Sequence, residues 1–95
     1  MSAYLIARVE VTDPDRYEEY KTLAQAAVGA HGGRYVVRGG NHETLEGEVE
    51  DRRIVVLEFP DMDAARTFYS SAEYTAAKAA REGAATGQFI IVDGN

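Results

Sequence analysis

Three charged side chains fall inside stretches that otherwise read as apolar strands. Arg8 lies in "YLIARVEV", Arg38 closes "GGRYVVR" just before Gly39 and Gly40, and Glu58 sits in "RRIVVLEFP". Strand side chains alternate with a period of two. By that count Arg8, Arg38 and Glu58 share one sheet face with Tyr4, Ile6, Val36, Ile54 and Val56. A charge on a covered face must be paired or must bind something. Arg38 and Glu58 are therefore the candidate catalytic pair. Arg38 or Arg8 would hold a substrate carboxylate or enolate, bidentately where geometry permits. Glu58 would act as general base or acid, its pKa raised by burial. The same residues also fit a structural Arg–Glu pair that ties strands or subunits together.

Other chemistry-bearing residues are sparser. Tyr69 and Tyr74 in "FYSSAEY" are candidate substrate-binding phenols, though aromatics at helical spacing also serve a core. Ser70 and Ser71 read as helix caps rather than nucleophiles. His31 reads as a cation near a helix C-terminus. His42, with Glu43 and Glu46, is too thin a cluster for a metal. Arg53 reads as a strand-start charge or a partner for Glu46. Neither glycine pair has the spacing of a phosphate-binding loop. No metal and no cofactor are expected.

These residues must be positioned by a short series of elements. A strand over Tyr4–Val11 leads to a helix begun at Thr12 or Asp13 with Pro14 in its first turn. Its buried face is Tyr17, Tyr20, Ala24, Ala27 and Val28, and Gly32 and Gly33 end it. Arg34–Arg38 forms a second strand, with Tyr35 and Val37 directed to the helices. A polar, Gly-containing connection follows, in which Thr44–Glu46 extends a hairpin. Arg53–Phe59 is the third strand. A helix follows Asp61, broken near Ser70, where Ser70 and Glu73 match a capping box. Gln88–Val92 is the last strand. The order βαββαβ implies an α+β, ferredoxin-like domain, a four-stranded antiparallel sheet with helices on one face. The first and third strands would be central.

One domain over residues 1–95 is expected from the length. The chain has no cysteine, which excludes disulfides and cysteine chemistry. Ten basic residues against 16 acidic ones give a net charge of −6. That balance argues against nucleic acid and anionic membranes as partners. No apolar run is long enough to span a bilayer, and the start is too briefly apolar for a signal peptide, so a cytoplasmic protein is expected. Helices on one face leave the other too apolar for water, and a second copy of the chain would cover it.

Together "DPDRYEEY", "GGRYVVRGG", "LEG", "RRIVVLEFPDMDAARTFYSSAEY" and "GQFIIVDG" resemble the domain of unknown function family 1330, in the dimeric α/β-barrel superfamily. The resemblance covers nearly the whole chain. It implies a ferredoxin-like fold and a homodimer whose sheets pack face to face. Arg38 and Glu58 match the family's "RGG" and "EFP". Arg81 stands where the family pattern has an arginine, as a substrate-binding residue or a solvated one. One departure is the tryptophan that the family carries after "EG", replaced here by Glu48, Val49 and Glu50. The superfamily hosts several chemistries, so fold alone selects none. Two functions stay open. One is a small cofactor-independent enzyme of monooxygenase, isomerase or lyase type, acting on a small aromatic or carboxylate compound in a cavity of the dimer. The other is a non-catalytic small-molecule-binding or structural homodimer.

Overall fold

The computed structural model describes residues 1–95. The elements run β1 (Ala3–Val11), α1 (Pro14–Ala30), β2 (Arg34–Arg38), β3 (Arg53–Phe59), α2 (Met62–Ser70), α3 (Ala72–Arg81) and β4 (Ala85–Asp93). The four strands form one antiparallel sheet in the order β2-β3-β1-β4. The expected ferredoxin-like order is present, with β1 and β3 central. Extents of 33 × 32 × 16 Å describe a slab two layers thick.

Local chemistry explains the element ends. The Asp13 carboxylate accepts from the Arg16 amide at 3.2 Å and caps α1. Asp61 does the same for α2, accepting from the Ala64 amide at 2.8 Å. The break between α2 and α3 falls one residue later than expected. Ser71, not Ser70, is the cap, and its hydroxyl accepts from the Tyr74 amide at 3.1 Å. The Ser70 hydroxyl instead donates back to the Arg66 carbonyl at 3.0 Å.

The core lies between the helices and one sheet face. Leu5, Ala7, Val9, Leu57 and Phe59 meet Tyr17, Tyr20, Ala24, Val28, Phe68, Tyr74 and Ala77 there. The other face has no helix over it. Val36, Ile90 and Val92 are 47%, 42% and 44% exposed on the sheet.

Strand β2 corrects the alternation argument. Tyr35 pairs with Leu57, but Val37 pairs with Val56 and Arg38 with Val55, so the register slips between Tyr35 and Val37. Val36 and Val37 together oppose Val56, which is a β-bulge on an edge strand. The extra residue resets the alternation. Val37 is therefore not core, and Arg38 turns to the helix side with Tyr35.

The connection from Gly39 to Arg52 contains no strand, so Thr44–Glu46 does not extend a hairpin. Polar contacts hold it. The Glu50 amide donates to the Thr44 hydroxyl at 2.9 Å, and His42 Nε2 lies 2.6 Å from the Glu50 carbonyl. The Glu50 carboxylate accepts from both Nε and Nη2 of Arg52 at 2.8 and 2.9 Å. That fork, with further help from Arg8, lowers the Glu50 pKa from 4.5 to about 2. A depressed carboxylate stabilises the fold above its ordinary pKa and loses that contribution as the pH falls. The loop anchor should therefore weaken between pH 4.5 and about 2. An NMR titration of the Glu50 carboxyl checks this, and a midpoint at the ordinary value would overturn it.

Candidate functional site

The sheet separates the candidate residues. Arg8 and Glu58 lie on the helix-free face, as expected, but neither meets Arg38. Arg8 Nη1 donates to Gln88 Oε1 at 2.6 Å, and its Nε is 3.6 Å from Glu50. Glu58 sits between its cross-strand neighbours Arg34 and Tyr4. It accepts from Arg34 Nε at 2.5 Å and from the Tyr4 hydroxyl at 3.5 Å. Hydrogen bonding from Ser2 and then Arg34 outweighs burial and holds its carboxyl below the usual range. This corrects two expectations. Glu58 is paired with Arg34 rather than Arg38, and its pKa is lowered rather than raised.

Arg38 is on the helix side because of the bulge. Its Nη2 donates to Gln25 Oε1 of α1 at 2.9 Å, and its guanidinium lies 4.1 Å from the Tyr35 ring centroid. There it borders a cleft between the sheet and α1 and α3. Tyr17, Tyr20, Lys21, Tyr35, Arg53 and Tyr74 supply the polar groups of its lining besides Arg38, and Phe68, Phe89 and aliphatic side chains supply the rest. No carboxylate and no imidazole lines it.

Tyr74 of this lining is backed by Arg81, which does not itself line the cleft. Arg81 Nη1 donates to the Tyr74 hydroxyl at 3.2 Å, and the Tyr74 and Tyr20 hydroxyls are 2.7 Å apart. The Arg81 guanidinium also stacks over Phe89 at 4.3 Å and Tyr20 at 5.2 Å. Burial pushes the Tyr20, Tyr74 and Tyr17 phenols up, so all three stay protonated donors at neutral pH. Tyr69 lies outside this group. It packs against Tyr74 and Phe89 under the Lys78 ammonium and lines a separate groove with Arg66, Ser70 and Ile91.

Sequence reasoning missed Tyr17, Tyr20 and Arg53 as site residues. The signal for Arg53 was present, since it shares parity with Val55, Leu57 and Phe59 and pairs with Val9. Its Nε is buried with no hydrogen-bond partner. An unsatisfied buried donor costs about 1–3 kcal/mol. Gly39 makes room for this guanidinium. A Cβ there would meet Arg53 Nη1 at 2.2 Å, and φ of +71° independently favours glycine. Arg38, Arg53 and Arg81 take part in none of the ion pairs of the fold.

The histidines stand apart from the cleft. His31 caps the C-terminus of α1, with Nε2 3.1 Å from Glu73. No group of three or more histidine, aspartate or glutamate side chains is placed to hold a metal ion. No helix is long and apolar enough to cross a membrane.

Comparison with known proteins places this geometry. A protein of unknown function from Rhodopseudomonas palustris shares the fold with a TM-score of 0.74 at 19% identity, over 99% of this chain and 82% of that one. SnoaB, a cofactor-independent oxygenase from Streptomyces nogalater, is similar with a TM-score of 0.65 at 18% identity, over 99% and 93% of the two chains. A dimeric ferredoxin-like protein of unknown function from Jannaschia sp. CCS1 has a TM-score of 0.71 at 13% identity, over 99% and 100%. At these identities the likeness is one of fold. No curated protein matches the sequence. Residues 2–95 match the family described as Domain of unknown function (DUF1330), and the chain belongs to that family.

Proposed function

We propose that the cleft between the sheet and helices α1 and α3 binds a small aromatic compound with an ionisable oxygen and stabilises its anion. The observation that carries this reading is the hydrogen-bonded chain Arg81–Tyr74–Tyr20, whose two phenols line a cleft free of carboxylates while Arg81 backs them from outside the lining. Protonated phenols backed by a guanidinium donate to a developing oxyanion, and a dry site strengthens them. With no carboxylate or imidazole among the lining residues, the cleft stabilises a substrate that ionises readily. A small cofactor-independent enzyme of oxygenase, isomerase or lyase type fits this arrangement, and one protein of similar fold is described as a cofactor-independent oxygenase. Arg38 and Tyr74 keep a proposed role in the cleft and Arg81 one behind Tyr74, and Arg8, Glu58 and Tyr69 do not.

Turnover on panels of quinols, lactones and hydroxy-aromatic acids tests the reading. Tyr74→Phe removes one oxyanion donor and should lower kcat/KM about 100-fold or more on any substrate found. Undiminished turnover in that variant overturns the catalytic role. One observation favours the non-catalytic alternative. The closed cleft offers about 30 Å³, room for about two waters. A larger ligand enters only when side chains such as Lys21 and Arg38 part. A ligand that binds and raises the melting temperature without turnover supports this second reading.

We further propose that two copies pair through the helix-free face. Its exposed Val36, Ile90 and Val92 support this, as do Leu45 and Val49, which project 89% and 81% exposed from the β2–β3 connection. Glu50 of that connection reaches Arg8 on the same face, so the connection borders the proposed interface. The description of the Jannaschia neighbour as dimeric agrees.

A further inference from the structure

We infer that the cleft carries a dedicated anion subsite, formed by Arg53 with Arg38, and that its ligand is an aromatic hydroxy-acid. The inference rests on the cleft reading above and adds the ligand's second functional group. Arg53 projects from β3 and Arg38 from β2 into the same cleft. Arg53 Nε is enclosed and has no hydrogen-bond partner, and neither arginine is paired with a carboxylate. In a chain of net charge −6, with 16 carboxylates available, two guanidinium groups that no carboxylate neutralises, facing an aromatic wall, mark a place kept for an external anion.

The sheet sets the spacing. Arg81 stacks on Phe89 of β4, and Arg53 rises from β3, with β1 between them. Neighbouring strands lie about 4.8 Å apart, so the backbones of β3 and β4 are separated by roughly 10 Å. The gap is walled by Tyr17, Tyr20 and Tyr74 on the helix side and by Ala7, Val9 and Val55 on the sheet side. A ring with a hydroxyl toward Tyr74 and a carboxylate toward Arg53 and Arg38 would occupy this frame once Lys21 and Arg38 part, since the closed cleft holds only about 30 Å³. The guanidinium planes can take both carboxylate oxygens.

Para-hydroxybenzoate and its neutral isostere para-hydroxybenzamide test the subsite by calorimetry, with the Arg53 Nε–H resonance followed by NMR. The acid should bind about tenfold tighter than the amide or better, because bonds to charged groups exceed neutral ones. The Arg53 Nε–H signal should shift with the acid and stay in place with the amide. Arg53→Gln should bring the affinity ratio toward one by weakening the acid far more than the amide. Arg38→Gln, at an exposed position, should lower the ratio without risk to the fold. Equal affinity for acid and amide, or a preference that survives both substitutions, overturns the subsite and leaves the cleft reading standing. Inorganic phosphate shifting the Arg53 signal while neither aromatic binds overturns the cleft reading and the aromatic part of the inference. If neither the aromatics nor phosphate bind, both are overturned.

Discussion

Replacing Phe68 with alanine is expected to cost about 3–5 kcal/mol of folding stability. Phe68 is fully buried at the centre of the aromatic cluster. Its ring is 4.9 Å from Phe59, 4.5 Å from Tyr74 and 6.3 Å from His31. Truncation removes the transfer free energy of a whole ring and leaves a cavity between α2 and the sheet that rigid neighbours cannot fill. A domain of this size has only about 5–15 kcal/mol in total, so much of its stability depends on one side chain. The melting temperature should fall by at least about 12 °C. Phe68→Leu should cost less, since most of the volume is kept. A loss below about 1 kcal/mol for the alanine variant would mean the cluster collapses around the gap, contrary to the packing described.

The second large effect concerns the helix-free face. Ile6 lies opposite Val56 on one side and Ile90 on the other, at the middle of that face. It is half-buried in a single chain. Ile6→Arg should therefore leave the fold of one chain intact while placing two unpaired charges in the proposed interface. An uncompensated buried charge costs about 3–5 kcal/mol, equivalent to a rise of at least about 100-fold in the dimer dissociation constant. Sedimentation at micromolar concentration should show the parent protein at twice the 10.4 kDa chain mass and the variant at the single mass. A monomeric parent protein, or a variant that still pairs, overturns the proposed mode of assembly.

Much of the fold was legible in the sequence because its signals are local. Asp13 with Pro14, and Asp61 after Pro60, mark helix starts that the structure confirms. Alternation in β1 sorted Leu5, Ala7 and Val9 from Tyr4, Ile6 and Arg8 correctly, since β1 pairs without interruption on both sides. The site was harder to read. Arg38 and Glu58 were joined by counting residues, and one unpaired valine in β2 was enough to put them on opposite sides of the sheet. Arg53 reads from its position as a strand-start charge facing water, although its parity with Val55 places it on the helix side. The link between Tyr20 and Tyr74 joins residues 54 positions apart. No spacing rule within one element reports such a contact.

The bulge at Val36 and Val37 also bears on how insertions and deletions act in this chain. Removing either valine would delete the bulge and restore plain alternation, with the remaining valine opposite Val56 and Arg38 still opposite Val55 on the helix side. Inserting a residue after Val37 would instead carry the guanidinium of residue 38 to the helix-free side and take the following glycine away from Arg53. At this edge strand a one-residue deletion is absorbed, whereas a one-residue insertion changes the face a side chain reaches. Sequences of this family aligned without regard to that extra residue would match arginines that serve different surfaces.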